Sequence, residues 1–143
     1  MDRLQTAIAP AVGRVLMSLI FILSGFGKLT AAGATIGYIA STGLPLPEVG
    51  YGLSVIVELG GGLLLLAGLW TRWVALVLAA FCLFTAFVFH GFADMNGQIH
   101  AMKNFAMAGG FLYVAAYGAG LWSVDALLRR RGGGLGTAAA RAA

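Results

Sequence analysis

Two stretches of the chain, 73–93 and 104–124, are long enough to cross a membrane and contain no charged residue. A helix needs roughly 20 apolar residues to span the hydrocarbon core of a bilayer. A third stretch, 49–71, has this length with one interruption, Glu58. Only 10% of the 143 residues are charged, which is too few to cover the surface of a soluble domain. The sequence therefore predicts an all-α integral membrane protein.

A fourth candidate span is shorter, because the uncharged stretch from Val15 to Gly27 is flanked by Arg14 and Lys28. Both charged side chains are long enough to snorkel to the membrane boundary, so we expect a span here as well. The chain is interpreted as one domain, 1–128, that forms a four-helix membrane bundle, followed by a basic, low-complexity cytoplasmic tail, 129–143. The expected spans are 11–31, 48–70, 73–93 and 102–124.

The first apolar stretch has an alternative interpretation as a cleaved signal peptide, because Ala32-Gly33-Ala34 resembles a cleavage site of small residues. Lys28 would then lie between the apolar region and the cut, where signal peptides usually carry no charge. We therefore favour a membrane span.

The distribution of basic residues predicts the orientation, since cytoplasmic loops are enriched in lysine and arginine. With the N-terminus inside, seven basic residues lie on the cytoplasmic side: Arg3, Arg14, Arg72, Arg129, Arg130, Arg131 and Arg141. Only Lys28 and Lys103 lie outside. All three tryptophans, Trp70, Trp73 and Trp122, then fall at the inner boundary. This pattern also accounts for the net charge of +4, so we expect lipid rather than nucleic acid as the partner.

The connections between the spans are unequal in length. A tight turn at 70–73 predicts that the second and third spans are antiparallel neighbours. The outer segment, 30–47, is long and apolar enough to lie on the membrane, with a short interfacial helix expected at about 34–40. Just past the last span, Asp125 and Arg129 have the spacing of an i,i+4 ion pair.

Ionisable residues inside a bilayer are costly and therefore indicate function. Glu58 is the strongest candidate, since it lies roughly 15 Å into the membrane when counted from Glu48 at the helical rise. The other candidates share its half of the bundle at the ends of the remaining spans: Lys28, His90, His100, Lys103 and Asn104. Together they predict one polar pocket that opens outward.

Structural interpretations of the same residues remain open. In the structural interpretation, Glu58 forms an ion pair with Lys28 or Lys103 that only fixes the register of the helices. The histidines would then face water or backbone carbonyl groups. A metal site is not expected, because only Asp94 lies close to the two histidines in sequence. The single cysteine, Cys82, excludes a disulfide within the chain and a CxxC pair. It is interpreted as a small core residue.

Several sequence fragments, in this order and spacing, resemble the DoxX family of small membrane proteins over roughly 14–128. The fragments are Arg14, Gly25-Phe26-Gly27-Lys28-Leu29, Gly43-Leu44-Pro45, Glu58-Leu59-Gly60-Gly61-Gly62-Leu63-Leu64, Gly68-Leu69-Trp70-Thr71-Arg72, and Lys103-Asn104-Phe105-Ala106 with Gly109-Gly110. The resemblance implies a four-helix protein of the bacterial inner membrane. Some relatives are subunits or partners of redox enzymes that reduce quinone, whereas most have no assigned activity.

Three functions are compatible with these patterns. The first is a small membrane subunit or partner of a quinone-linked redox system, with a quinone in the outer pocket and no cofactor of its own. The second is a non-catalytic scaffold, alone or as a homo-oligomer, whose buried ion pair is structural. The third is a carrier for a small solute, which is disfavoured because four helices enclose little space.

Reporter fusions test the predicted orientation. Alkaline phosphatase is active only outside the cytoplasm, so fusions after Ala34 and Gln98 should be active and fusions after Arg72 and Arg131 inactive. Green fluorescent protein fused at the same four positions provides the reciprocal control. High phosphatase activity after Arg131 would show that the C-terminus lies outside.

Overall fold

A computed structural model describes residues 2–90 and 94–131, which fold into helices joined by short turns and contain no strand. The helices are α1 (Ala9–Thr30), α2 (Ala32–Ser41), α3 (Pro47–Val55), α4 (Gly61–Ala67), α5 (Thr71–Phe89) and α6 (Met95–Tyr117). Two π-helical segments, Leu4–Ile8 and Ile56–Gly60, continue α1 backward and join α3 to α4. A last helix, α7, occupies 124–131.

Three continuous helices are long and apolar enough to cross a membrane: Leu4–Thr30, Pro47–Ala67 and Thr71–Phe89. They form the first, second and third spans. Large apolar side chains on each face outward, such as Leu23 with 68%, Ile56 with 68% and Phe87 with 69% exposure. Such a surface is stable against lipid rather than water. The predicted all-α membrane fold is therefore confirmed.

Helix α6, which corresponds to the predicted fourth span at 102–124, begins and ends about seven residues earlier than predicted. It starts at Met95 because the Asp94 carboxylate accepts a hydrogen bond from the Gly97 N–H, as a helix N-cap does. It ends at Gly118, which has a positive φ of 83°. Its first turns are polar, so α6 is not among the three apolar helices. Residues 91–93 of the predicted third span, and 132–143 of the predicted tail, lie outside the described residues.

The expected short helix between the first two spans is confirmed as α2. The turn between the second and third spans is also short, but it lies at Gly68–Trp70 instead of 70–73. Gly68 adopts φ 70° and ends α4, while the Leu69 N–H donates to the Leu64 carbonyl. This is the Schellman arrangement that closes many helices with glycine.

The bundle has two different ends, which are named the Lys28 end and the Asp125 end after residues that lie there. The core occupies the middle and the Asp125 end, and α5 contributes most of it. The buried residues of this core are Phe21, Leu65, Val74, Ala75, Leu78, Ala79, Cys82, Ala108 and Phe111. The rings of Phe21 and Phe111 meet edge to face at 5.4 Å. Helices α1 and α6 therefore touch in the middle of the bundle.

Arg14 does not snorkel to the boundary, so this prediction was wrong. The side chain is only 4% exposed. Its guanidinium donates to the carbonyls of Leu65 and Leu66, both at 3.1 Å, and to that of Trp122. The last carbonyls of a helix have no partner within the helix and carry partial negative charge. Arg14 therefore closes the C-terminus of the second span from inside the bundle.

Asp125 caps the N-terminus of α5, whereas Arg14 caps a helix C-terminus. Among the described residues, Asp125 and Arg129 do not form the expected ion pair, because they do not come within salt-bridge distance. The Asp125 carboxylate accepts from the backbone N–H groups of Trp70 at 2.8 Å and Thr71 at 2.9 Å. Burial disfavours the charged carboxylate, but these hydrogen bonds and the charge of Arg129 outweigh burial and lower the pKa of Asp125. The Asp125 end is thus closed by two charged caps.

Asp125→Ala should lower the free energy of unfolding by about 1 kcal/mol at neutral pH, the usual cost of losing a helix cap. The pKa of Asp125 is lower in the folded state than in the unfolded state. Its contribution is therefore complete above the unfolded pKa and is lost as the pH falls through the folded pKa. Thermal unfolding in detergent at neutral and acid pH measures both effects, with the exposed Asp2→Ala as control. A difference between wild type and Asp125→Ala that persists in acid would contradict this role.

Candidate functional site

A cavity of about 760 Å³ opens at the Lys28 end of the bundle. All four long helices contribute to its wall, and α2 with the following turn forms one side. Its size lies within the range of pockets for small organic ligands. All six predicted site residues line it: Lys28, Glu58, His90, His100, Lys103 and Asn104. A second cavity of about 520 Å³, between the second and third spans, contains none of them.

Glu58 and Lys28 form an ion pair across the first and second spans. The Lys28 ammonium lies 2.8 and 2.6 Å from the two carboxylate oxygens of Glu58 and donates a third hydrogen bond to Ser24 Oγ at 3.1 Å. Glu58 is 6% exposed. The structure thus selects Lys28, not Lys103, as its partner. All three N–H groups of the ammonium are used.

Gly25 explains how the two helices approach closely enough for this pair. A Cβ at this position would lie 2.7 Å from Leu59 Cγ and 3.0 Å from Leu59 N. No side chain fits there without separating the helices. Small residues at such positions allow close contact between helices in lipid. Gly25 and Lys28 therefore lie on the face of the first span that packs against the second span.

Glu58 lies at the centre of the π-helical segment Ile56–Gly60. A π turn inserts one extra residue into an α-helix and changes the direction of the side chains that follow, and such segments are common at functional sites. Nothing in the sequence signals this segment, because each of its residues is compatible with an ordinary α-helix.

The opposite wall carries the two histidines and Lys103. The rings of His90 and His100 stack with centroids 5.2 Å apart, and Lys103 Nζ lies 3.1 Å from His100 Nδ1. Because an ammonium only donates, Nδ1 accepts, and a neutral His100 carries its proton on Nε2. His90 follows the last residue of the third span. Burial first, then the electrostatic influence of His100 and Lys103, lower the pKa of His90.

Asn104 is buried, with 6% exposure, and lines the same wall. Within residues 2–90 and 94–131, its side-chain amide makes no hydrogen bond. The amide is not sealed from the cavity, because the enclosed polar atoms without a partner in this part of the chain are Arg14 Nε and Thr71 Oγ1. Asn104 therefore offers a free donor and a free acceptor to whatever occupies the cavity.

Tyr38 is a cavity residue that the sequence did not indicate. Its hydroxyl donates to the Phe89 carbonyl at 3.2 Å, and its ring stacks on Phe89 with centroids 5.8 Å apart. On the same helix, Ile39 is buried and its Cγ2 lies close to Gly50. These contacts hold α2 across the side of the cavity. In the part of the chain that the structure describes, no three His, Cys, Asp or Glu side chains gather as metal ligands would.

The fold defines an all-α integral membrane protein, and a largely apolar cavity with a few polar side chains lies at one end of its bundle. The chain belongs to the DoxX family, whose sequence profile matches residues 9–91. It is 42% identical over 124 residues to inner membrane protein YqjF of Escherichia coli (strain K12), covering 84% of this chain and 92% of the relative. It is 34% identical over 120 residues to inner membrane protein YphA of the same strain, covering 80% and 86%. No solved structure matches.

Double substitution of the ion pair tests its structural contribution. Lys28→Met leaves the Glu58 charge buried without a partner, which costs about 3–5 kcal/mol in soluble proteins. Adding Glu58→Gln should recover part of this loss, because the uncompensated charge is removed. Thermal unfolding of the single and double variants gives the coupling, and Lys103→Met, on the other wall, is the matched control. Purely additive losses would show that the two side chains do not depend on each other.

Proposed function

We propose that the chain is a small membrane subunit or partner of a redox system and that its cavity binds a quinone. The observation that carries this proposal is the combination of a largely apolar cavity with an unpartnered amide and an ion pair on its walls. A quinone has the matching character, since its ring and tail are apolar and its carbonyl oxygens accept hydrogen bonds. Binding sites for such ligands are apolar with a few placed polar groups.

The walls suggest a role for each polar group. The amide of Asn104 donates to a quinone carbonyl, because it has no partner among the described residues. Glu58 exchanges a proton with the ligand, while Lys28 stabilises the charged carboxylate. Conversion between a quinone and its quinol moves two electrons and two protons. A partner redox enzyme exchanges the electrons, Glu58 exchanges one proton, and water at the cavity mouth exchanges the other.

The proposed location is the bacterial inner membrane, with both termini in the cytoplasm. The names of YqjF and YphA as inner membrane proteins support the location. The excess of arginine at the Asp125 end supports the orientation, because basic residues are retained on the cytoplasmic side. In this orientation the cavity opens toward the outer face of the membrane, and a redox partner would reach it from that side.

The ion pair itself favours a second candidate, a scaffold without a ligand. Glu58 is held by both carboxylate oxygens at short distance, which is the geometry of a stable cross-link between helices. A scaffold requires neither the cavity nor the unpartnered Asn104, however. We therefore rank it second.

Ligand binding separates the two functions. Decylubiquinone titrated into the purified protein should raise the unfolding temperature, since a ligand at a hundred times its Kd stabilises by about 2.7 kcal/mol. Glu58→Gln keeps the shape of the side chain and should weaken binding about tenfold, equivalent to about 1.4 kcal/mol. Glu48→Gln makes the same chemical change at an exposed position outside the cavity and should bind like wild type. Absence of any shift in wild type would favour the scaffold.

A further inference from the structure

The two walls of the cavity differ in charge. On the wall formed by the first and second spans, the Lys28 charge is matched by Glu58 at 2.6 Å. On the opposite wall, Lys103 has no carboxylate within 4.0 Å among residues 2–90 and 94–131, and its contact is with a histidine nitrogen. The cavity therefore carries one positive charge that the described part of the chain does not neutralise.

The same wall presents hydrogen-bond donors rather than acceptors. His100, Lys103 and Asn104 occupy positions i, i+3 and i+4 of α6, which place them on one face of the helix. Lys103 keeps N–H groups besides the one shared with His100, and a neutral His100 has its Nε2–H free of that contact. The buried amide of Asn104 adds another donor. By contrast, the three N–H groups of Lys28 are all used by Glu58 and Ser24.

We propose that the cavity selects the anionic form of its carrier, a quinone whose ring bears an ionised hydroxyl, and that Lys103, His100 and Asn104 bind the negative oxygen. Donors that share one helix face beside an unmatched positive charge recognise an anionic oxygen better than a neutral carbonyl. His90 stacks on His100 and holds the orientation of that ring. This inference rests on the proposed function and specifies the chemical class of its ligand.

The test compares two probes of nearly equal shape. Lawsone is a naphthoquinone whose ring hydroxyl is ionised at neutral pH, because it is a vinylogous carboxylic acid, and its methyl ether is neutral. Calorimetric titration of wild type in a non-ionic detergent should give lawsone the lower Kd by about tenfold, the effect of one well-placed charge. Lys103→Met should abolish this preference while the Kd of the ether changes little, and Lys103→Arg should retain most of it.

Two further variants locate the effect. The double variant Lys28→Met/Glu58→Gln removes both charges of the ion pair, so it leaves no unmatched charge on that wall and should retain the ratio of the two Kd values. Arg130→Met removes one positive charge from the other end of the bundle and should also retain it. Loss of the preference in Arg130→Met would show a general effect of net charge and overturn the proposal. Loss in the double variant Lys28→Met/Glu58→Gln but not in Lys103→Met would move the anion site to the ion pair and likewise overturn it.

The outcomes for wild type distinguish this inference from the function on which it rests. If both probes and decylubiquinone bind, and lawsone binds no better than its ether, the cavity takes a quinone without selecting its charge. The inference then fails and the proposed function stands. If none of the three binds, the proposed function itself fails.

Discussion

Inside a bilayer, a polar group must find its hydrogen-bond partner within the protein, because the hydrocarbon offers none. This constraint explains where the charged side chains of the bundle lie. Arg14 is buried only because the carbonyls of Leu65, Leu66 and Trp122 surround its guanidinium. Glu58 is buried only because Lys28 reaches it from the neighbouring helix. Among the described residues, Arg14 Nε and Thr71 Oγ1 are enclosed without a partner, whereas the unpartnered amide of Asn104 lines the cavity, where a ligand can reach it.

The same constraint gives the bundle its asymmetry. At the Asp125 end, charged side chains satisfy helix termini, and the backbone of the segment after α6 adds further bonds, such as Leu121 N–H to the Thr6 carbonyl at 2.8 Å. The Asp125 end is consequently closed by hydrogen bonds between helix termini, charged side chains and backbone. At the Lys28 end, the cavity lies among the helices, and its polar groups line this space instead of closing it. One end holds the fold together, which leaves the other free to hold a ligand.

Much of this architecture follows from the sequence. Uncharged runs locate helices long enough to cross the bilayer, and their alternating directions bring Lys28, Glu58, His90 and the start of α6 to one end. The details that depend on how neighbouring helices are aligned with each other do not follow from the sequence. The choice of Lys28 over Lys103 as the partner of Glu58 requires the close approach at Gly25, and the π-helical segment around Glu58 has no sequence signal. The position of Arg14 was mispredicted because its carbonyl partners belong to the second span and to the segment that follows α6, both distant in sequence.

The polar first half of α6 has a consequence for biogenesis. A segment that carries His100, Lys103 and Asn104 gains little free energy by entering lipid alone, since charged and amide side chains oppose insertion. Its most extensive packing is against the third span, which is strongly apolar. We therefore expect the two helices to insert into the bilayer together, because the apolar third span offsets the cost of the polar start of α6. Residues 94–104 then reach the Lys28 end of the bundle together with the C-terminal residues of the third span, and three of them, His100, Lys103 and Asn104, line the cavity.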